Sequence, residues 1–182
     1  MKYIFSTFLL VASLALAVDD DTGWSPAVNG LRARLIIMPP TGTNTPFCSV
    51  LIEMQNVRDV AGQMTIRFTP ERLDLRVTDK AGKDLPVANE PYDGMTPDWQ
   101  PIHLPFAGTI RFQVSFPGLG YNPNKDIVIV DVGPSKAWII PQDGTTYRLS
   151  GKLAVGKQTG VHLYKDWSGT IELPKVEIPK TK

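Results

Sequence analysis

Asp143-Gly-Thr-Thr-Tyr147-Arg-Leu149, running on as Ser150-Gly-Lys-Leu-Ala-Val155, is the stretch whose reading decides the fold. An acidic residue stands four positions before a tyrosine, turn-forming residues lie between them, and an apolar residue follows two positions later. The pattern is that of a tyrosine corner. Its phenol is expected to bond backbone a few residues upstream as a strand begins, a device of two-sheet antiparallel β-sandwiches. Leu153 and Val155 then fall on one apolar face of that strand.

Outward from this stretch, apolar positions recur at period two almost throughout, the signature of half-buried strands. Leu31, Ala33, Leu35 and Ile37 share a face, with Arg32 and Arg34 on the other. Cys48, Val50, Ile52 and Met54 alternate with Ser49, Leu51, Glu53 and Gln55; Met64, Ile66 and Phe68 make a short strand; Leu73, Leu75 and Val77 another, turning through Asp79–Lys83 into Leu85 and Val87. Residues 88–101, with Tyr92 and Trp99 among prolines, read as an irregular loop. Thr109–Phe116 is a clean alternation, and Ile127–Val130 is apolar on both faces, as in a central or doubly covered strand. Trp138–Ile140 leads into the tyrosine corner. In Thr170–Ile178 the phase slips at Pro174, which predicts an edge strand with a bulge, while Lys175, Lys180 and Lys182 discourage further pairing. The sum is an all-β, antiparallel two-sheet sandwich of about eight or nine strands, with no amphipathic helix.

Met1-Lys2, an apolar run from Tyr3 to Ala17 and the ending Ala15-Leu16-Ala17 have the three parts of a secretory signal peptide. Fifteen apolar-region residues fall short of the roughly 20 of a spanning helix. Cleavage after Ala17 is therefore expected, giving a signal peptide at 1–17, one domain at 18–182, no later membrane span, and a periplasmic, cell-surface or extracellular address. Such a domain of 165 residues is long enough to bury close to 70% of its unfolded surface. Without Lys2 it carries 18 basic and 18 acidic side chains, a balance that argues against nucleic acid as partner. Cys48 is the lone cysteine, so no internal disulfide is available, and it reads as a buried apolar side chain.

The corner and the alternation together resemble immunoglobulin- and fibronectin-III-like sandwiches. Antibody domains carry a disulfide cysteine two positions after the tyrosine; Leu149 stands there in this chain, so packing alone is expected to hold the sheets together. Val50-Leu-Ile-Glu-Met-Gln-Asn56, Phe68-Thr-Pro and Leu73–Gly82 resemble the first half of BsuPI-type proteinase inhibitor domains. Trp24–Leu35 and Trp167–Pro174 resemble the two ends of secreted planctomycete proteins. These likenesses imply a fold and supply no reactive-site residue.

Chemical motifs fall short. Asp21-Thr22-Gly23 matches an aspartic-protease tripeptide but has no second copy and no apolar strand before it. Gly151–Lys157 ends on Gln158, where a phosphate loop needs Ser or Thr, and lies inside a predicted strand. His103 and His162 are far apart in sequence and give no basis for a metal site; no cofactor is implied. The loop Gly156–Ser168 holds His162, Tyr164, Lys165, Asp166 and Trp167, an aromatic and charged mixture common at recognition sites. With Tyr92 and Trp99 these are the candidate partner-binding residues, although Trp167 begins the final strand and is read first as capping the core. The expectation is an exported, non-enzymatic binding or structural module with a protein or carbohydrate partner. A proteinase inhibitor is the alternative reading, and a carbohydrate-binding module the next.

Overall fold

A computed structural model describes residues 23–40, 46–59, 62–69, 72–88, 100–115, 126–132, 136–157 and 166–180. These residues form strands and turns with no helix. In chain order the strands are β1 (Leu31–Met38), β2 (Phe47–Asn56), β3 (Met64–Phe68), β4 (Leu73–Thr78), β5 (Gln100–Leu104), β6 (Thr109–Gln113), β7 (Ile127–Val132), β8 (Lys136–Pro141), β9 (Arg148–Val155) and β10 (Gly169–Glu177).

A hairpin opens the fold. Val28 and Leu31 exchange both backbone hydrogen bonds across Asn29 and Gly30, whose φ angles are 50° and 78°. An Asn-Gly pair with two positive φ angles is the two-residue turn whose twist matches flanking strands. β1 then pairs antiparallel with β2, from Leu31 opposite Asn56 to Met38 opposite Ser49. Leu31, Ala33 and Leu35 thereby join Val50, Ile52 and Met54 in the core.

The other edge of β2 is shared. β6 pairs antiparallel along Leu51–Gln55, and β7 pairs parallel at Phe47 and Cys48. The change of partner is made at Val50. Its carbonyl accepts from both Val114 N (2.9 Å) and Ser115 N (3.3 Å), and its N–H donates to the Ser115 hydroxyl (3.0 Å). A side chain thus replaces a ladder partner, β6 ends at Gln113, and β7 takes the vacated edge. This corrects two expectations: a strand reaching Phe116, and an antiparallel arrangement throughout. β7 lies between β2 and β8 in the order β1-β2-β7-β8, so it is paired on both edges; Val128, Val130 and Val132 are buried while Ile127 and Ile129 on its other face are partly exposed.

A second sheet has the order β10-β9-β4. β10 occupies its end, and its register shifts between Leu173 and Val176, where Pro174 cannot donate to a ladder. β3 and β5 form a separate pair in which Pro101 faces Arg67. Gln100 and Pro101 are therefore strand and not the end of a loop, and residues 89–99 lie outside the described residues. Leu85 and Val87 do not continue as a strand either. Leu85 N bonds Val77 O (2.8 Å) and Ala88 N bonds Ala137 O (2.7 Å), so the segment straps β4 to β8.

All three sheets bury apolar residues in one continuous cluster that includes Ile52, Met54, Ile66, Leu75, Trp138, Leu149, Leu153, Trp167 and Ile171. Phe68 and Phe112 meet edge to face at 4.7 Å between β3 and β6. At the corner, Tyr147 is buried, and its carbonyl accepts from Ile178 N (2.9 Å). Among the described residues the phenol bonds no upstream backbone group. Asp143 closes the turn instead, accepting from Thr145 N at 2.9 Å, the local side-chain-to-backbone bond that aspartate favours in turns.

Candidate functional site

His162, Tyr164, Lys165, Tyr92 and Trp99 lie outside the described residues. The two described members of that set, Asp166 and Trp167, are part of the framework. Asp166 bridges to Thr65 of β3, and its carboxylate receives Arg67 Nε at 2.7 Å, both side chains mostly shielded from water. Trp167 is 1% exposed; its N–H donates to Thr65 O (2.7 Å) and its indole Nε1–H to Val28 O (2.9 Å). Asn29 Nδ2 reaches Ser168 O at 2.8 Å from the neighbouring turn. An anchor for a partner must present its ring. The Trp167 ring is enclosed by this protein's own core.

Other chemistry-bearing side chains are similarly engaged. Cys48 is buried, and burial pushes its thiol up to about 11, well away from a reactive thiolate. His103 is exposed on β5, with Nδ1 3.1 Å from the Thr65 hydroxyl. Among the described residues no group of three or more His, Cys, Asp or Glu side chains is placed to hold a metal ion.

The most organised polar surface is the outward face of β1, β2 and β6. Period two puts Arg32 and Arg34 of β1, Glu53 and Gln55 of β2, and Arg111 of β6 on the side away from Leu35, Ile52 and Met54. Register then sets Arg34, Glu53 and Arg111 in one row across three strands, and Arg32 beside Gln55 in the next. Arg34 Nε donates to Glu53 Oε2 at 2.5 Å, Arg111 Nη2 and Nε to Glu53 Oε1 at 2.8 and 3.2 Å, and Arg32 Nε to Gln55 Oε1 at 2.8 Å. Burial on its own raises the Glu53 carboxyl, but the hydrogen bonds and charges of Arg34 and Arg111 outweigh it and hold the group below the usual glutamate range.

Trp24 completes this face. Ser25 N donates to Ala33 O (2.9 Å), and the Ser25 hydroxyl accepts from Ala33 N (3.0 Å), fastening the chain to the outer edge of β1. The preceding indole then lies over both arginines, its ring centroid 4.8 Å from Arg32 Cζ and 4.6 Å from Arg34 Cζ. Guanidinium groups over an indole face gain from the ring quadrupole. Period-two reading put Arg32 and Arg34 on an outward face but did not join them to Glu53, Arg111 or Trp24. The signal was charged residues in equal phase on separate strands, and only the register shows that they align.

Comparison with protein-family models, with curated proteins and with solved structures finds no match for the chain. Among the described residues no helix is long and apolar enough to cross a membrane.

Proposed function

We propose that the chain is an exported, immunoglobulin-like β-sandwich that acts as a binding or structural module and not as an enzyme. The observation that carries this reading is the outward face of β1, β2 and β6, where Arg34, Glu53 and Arg111 are joined by cross-strand bonds and Arg34 lies over the Trp24 ring. Side chains already held in one geometry lose little freedom when a partner arrives, which favours recognition. The groups that could do chemistry support the same reading: Asp166 is held by Arg67, Glu53 by two arginines, and Cys48 is a buried neutral thiol.

Two measurements test it. N-terminal sequencing of the chain recovered from outside the cytoplasm of an expressing bacterium is expected to begin at Val18. A panel of hydrolase substrates is expected to show no turnover. Turnover abolished by His103→Ala or Asp166→Asn overturns the reading, as does retention of the intact leader in the cytoplasm.

A further inference from the structure

We propose that the outward face of β4, β9 and β10 holds a binding site for a phosphate group, with the Ser150 hydroxyl at its floor and Arg76, Arg148 and Lys175 around it. The site lies on the other sheet from the face of β1, β2 and β6, and it goes beyond the module reading without resting on it.

In β9, Leu149, Leu153 and Val155 are buried in the core, so strand alternation sends Ser150 to the opposite, outward side. Ser150 is nevertheless only 4% exposed, and its hydroxyl bonds no protein group. Buried hydroxyls without a partner are costly, and native proteins keep few of them. A hydroxyl in that position can donate to an incoming acceptor, and a charged acceptor makes the stronger bond.

Register gathers positive charge around this donor. Arg76 of β4 stands directly opposite Ser150 on one side. On the other side β10 slips between Leu173 and Val176, so Pro174 and Lys175 together face Ser150. Arg148 is two residues along β9, about 6.8 Å away. Arg76 and Lys175 are exposed and Arg148 is half-buried. Among the described residues none of these three side chains makes an ion pair or a hydrogen bond. The neighbouring acids are mostly engaged: Lys152 pairs with Glu172 at 2.9 Å, and Lys136 with Asp74 at 3.3 Å. Glu177, opposite Arg148, is the acid of this face without such a partner among the described residues. Three unpaired cations thus surround the hydroxyl against one unpaired carboxylate.

The donor set selects the ligand. A tetrahedral phosphate presents acceptor oxygens in several directions, so it can take the hydroxyl proton and guanidinium donors from two sides together. A flat carboxylate has two oxygens and serves fewer of these donors at once. Arg76 and Lys175 carry their charges on long stems, which lets them turn aside to admit the group and close over it.

The test follows the backbone amides of Ser150, Gly151 and Lys175 by nuclear magnetic resonance in the processed full chain. The protein is titrated with inorganic phosphate, with acetate, and with chloride at matched ionic strength. Phosphate is expected to shift these amides saturably, with a Kd on the order of 1 mM for a few exposed charged contacts. Ser150→Ala removes a hydroxyl that serves no protein partner, so it is expected to melt no lower than the parent. It is expected to weaken phosphate binding about tenfold, as is Arg76→Gln. Vesicles of phosphatidylglycerol, set against phosphatidylcholine, identify the source of the phosphate. Capture by the first that Arg76→Gln abolishes places it on a lipid, and no capture places it in solution; the site stands in both cases. Equal shifts in phosphate and chloride, equal or larger shifts in acetate, or unchanged phosphate affinity in both variants overturn the inference. A lower melting temperature for Ser150→Ala also overturns it, because the hydroxyl then serves the fold.

Discussion

Trp167→Ala and Trp167→Phe decide between an anchor for a partner and a core residue. The indole is 1% exposed and part of the continuous apolar cluster, so truncation to alanine leaves a large cavity beneath β10 and the first hairpin. Large-to-small changes of this kind cost about 3–5 kcal/mol, against a total stability of about 5–15 kcal/mol for a typical domain. At about 2 kcal/mol per molar urea, the unfolding midpoint is expected to fall by about 2 M, and the melting temperature by about 10 °C. Phenylalanine keeps most of the ring but cannot donate to Val28 O. Because Val28 O also accepts from Leu31 N, that carbonyl is not left unpaired. The phenylalanine variant is therefore expected to lose only about 1–2 kcal/mol. Urea unfolding followed by far-ultraviolet circular dichroism reads both. An alanine variant within about 0.5 kcal/mol of the parent, the usual range for surface changes, refutes the placement of Trp167 in the core.

Gly151→Ala tests a close approach between β4 and β9: a Cβ there overlaps Asp74 O and lies 2.8 Å from Leu75 Cα, which is backbone and cannot swing aside. It is expected to destabilise by about 1–3 kcal/mol in urea unfolding, and a neutral result contradicts the strand spacing. Ala107 has φ of 55° at the third position of the Pro105–Gly108 turn, which is closed by a 2.9 Å bond from Gly108 N to Pro105 O. Since the left-handed region costs a non-glycine residue about 1–2 kcal/mol and glycine gives part of that back as chain entropy, Ala107→Gly is expected to raise stability by a few tenths to about 1 kcal/mol; a fall in melting temperature contradicts the turn geometry. Glu53→Gln replaces charge-assisted bonds by neutral ones and is expected to cost about 1–2 kcal/mol at pH 7. With the folded-state carboxyl below its unfolded value of about 4.3, the stabilisation is present above that pH and lost as pH falls through the lower, folded value. The gap between parent and variant is thus expected to narrow on acidification, and a gap that widens below pH 4 contradicts the paired geometry.

Periodicity by itself determined that the described part of the chain is all-β and which residues of its main strands face inward. Leu31, Ala33, Leu35, Val50, Ile52, Met54, Leu73, Leu75 and Val77 are all buried, because a side-chain period of two leaves one face to be covered whatever the partner strand. The Pro174 bulge was legible for the same local reason: a missing N–H and a one-residue slip are both written in the sequence. What lay beyond it were facts about which strand meets which. The transfer of β2 from β6 to β7 depends on Ser115 reaching Val50, 65 positions away in sequence. The closure of the corner by the Asp143 carboxylate, which accepts from Thr145 N, in place of a bond from the Tyr147 phenol depends on how the folded turn sits against the core. At the candidate sites the balance is similar. Sequence placed Trp167 in a suspicious loop and also read it as capping the core; the folded structure encloses it there. The row of Arg34, Glu53 and Arg111 exists because three separate strands share one register, a property of the folded sheet that no single segment contains.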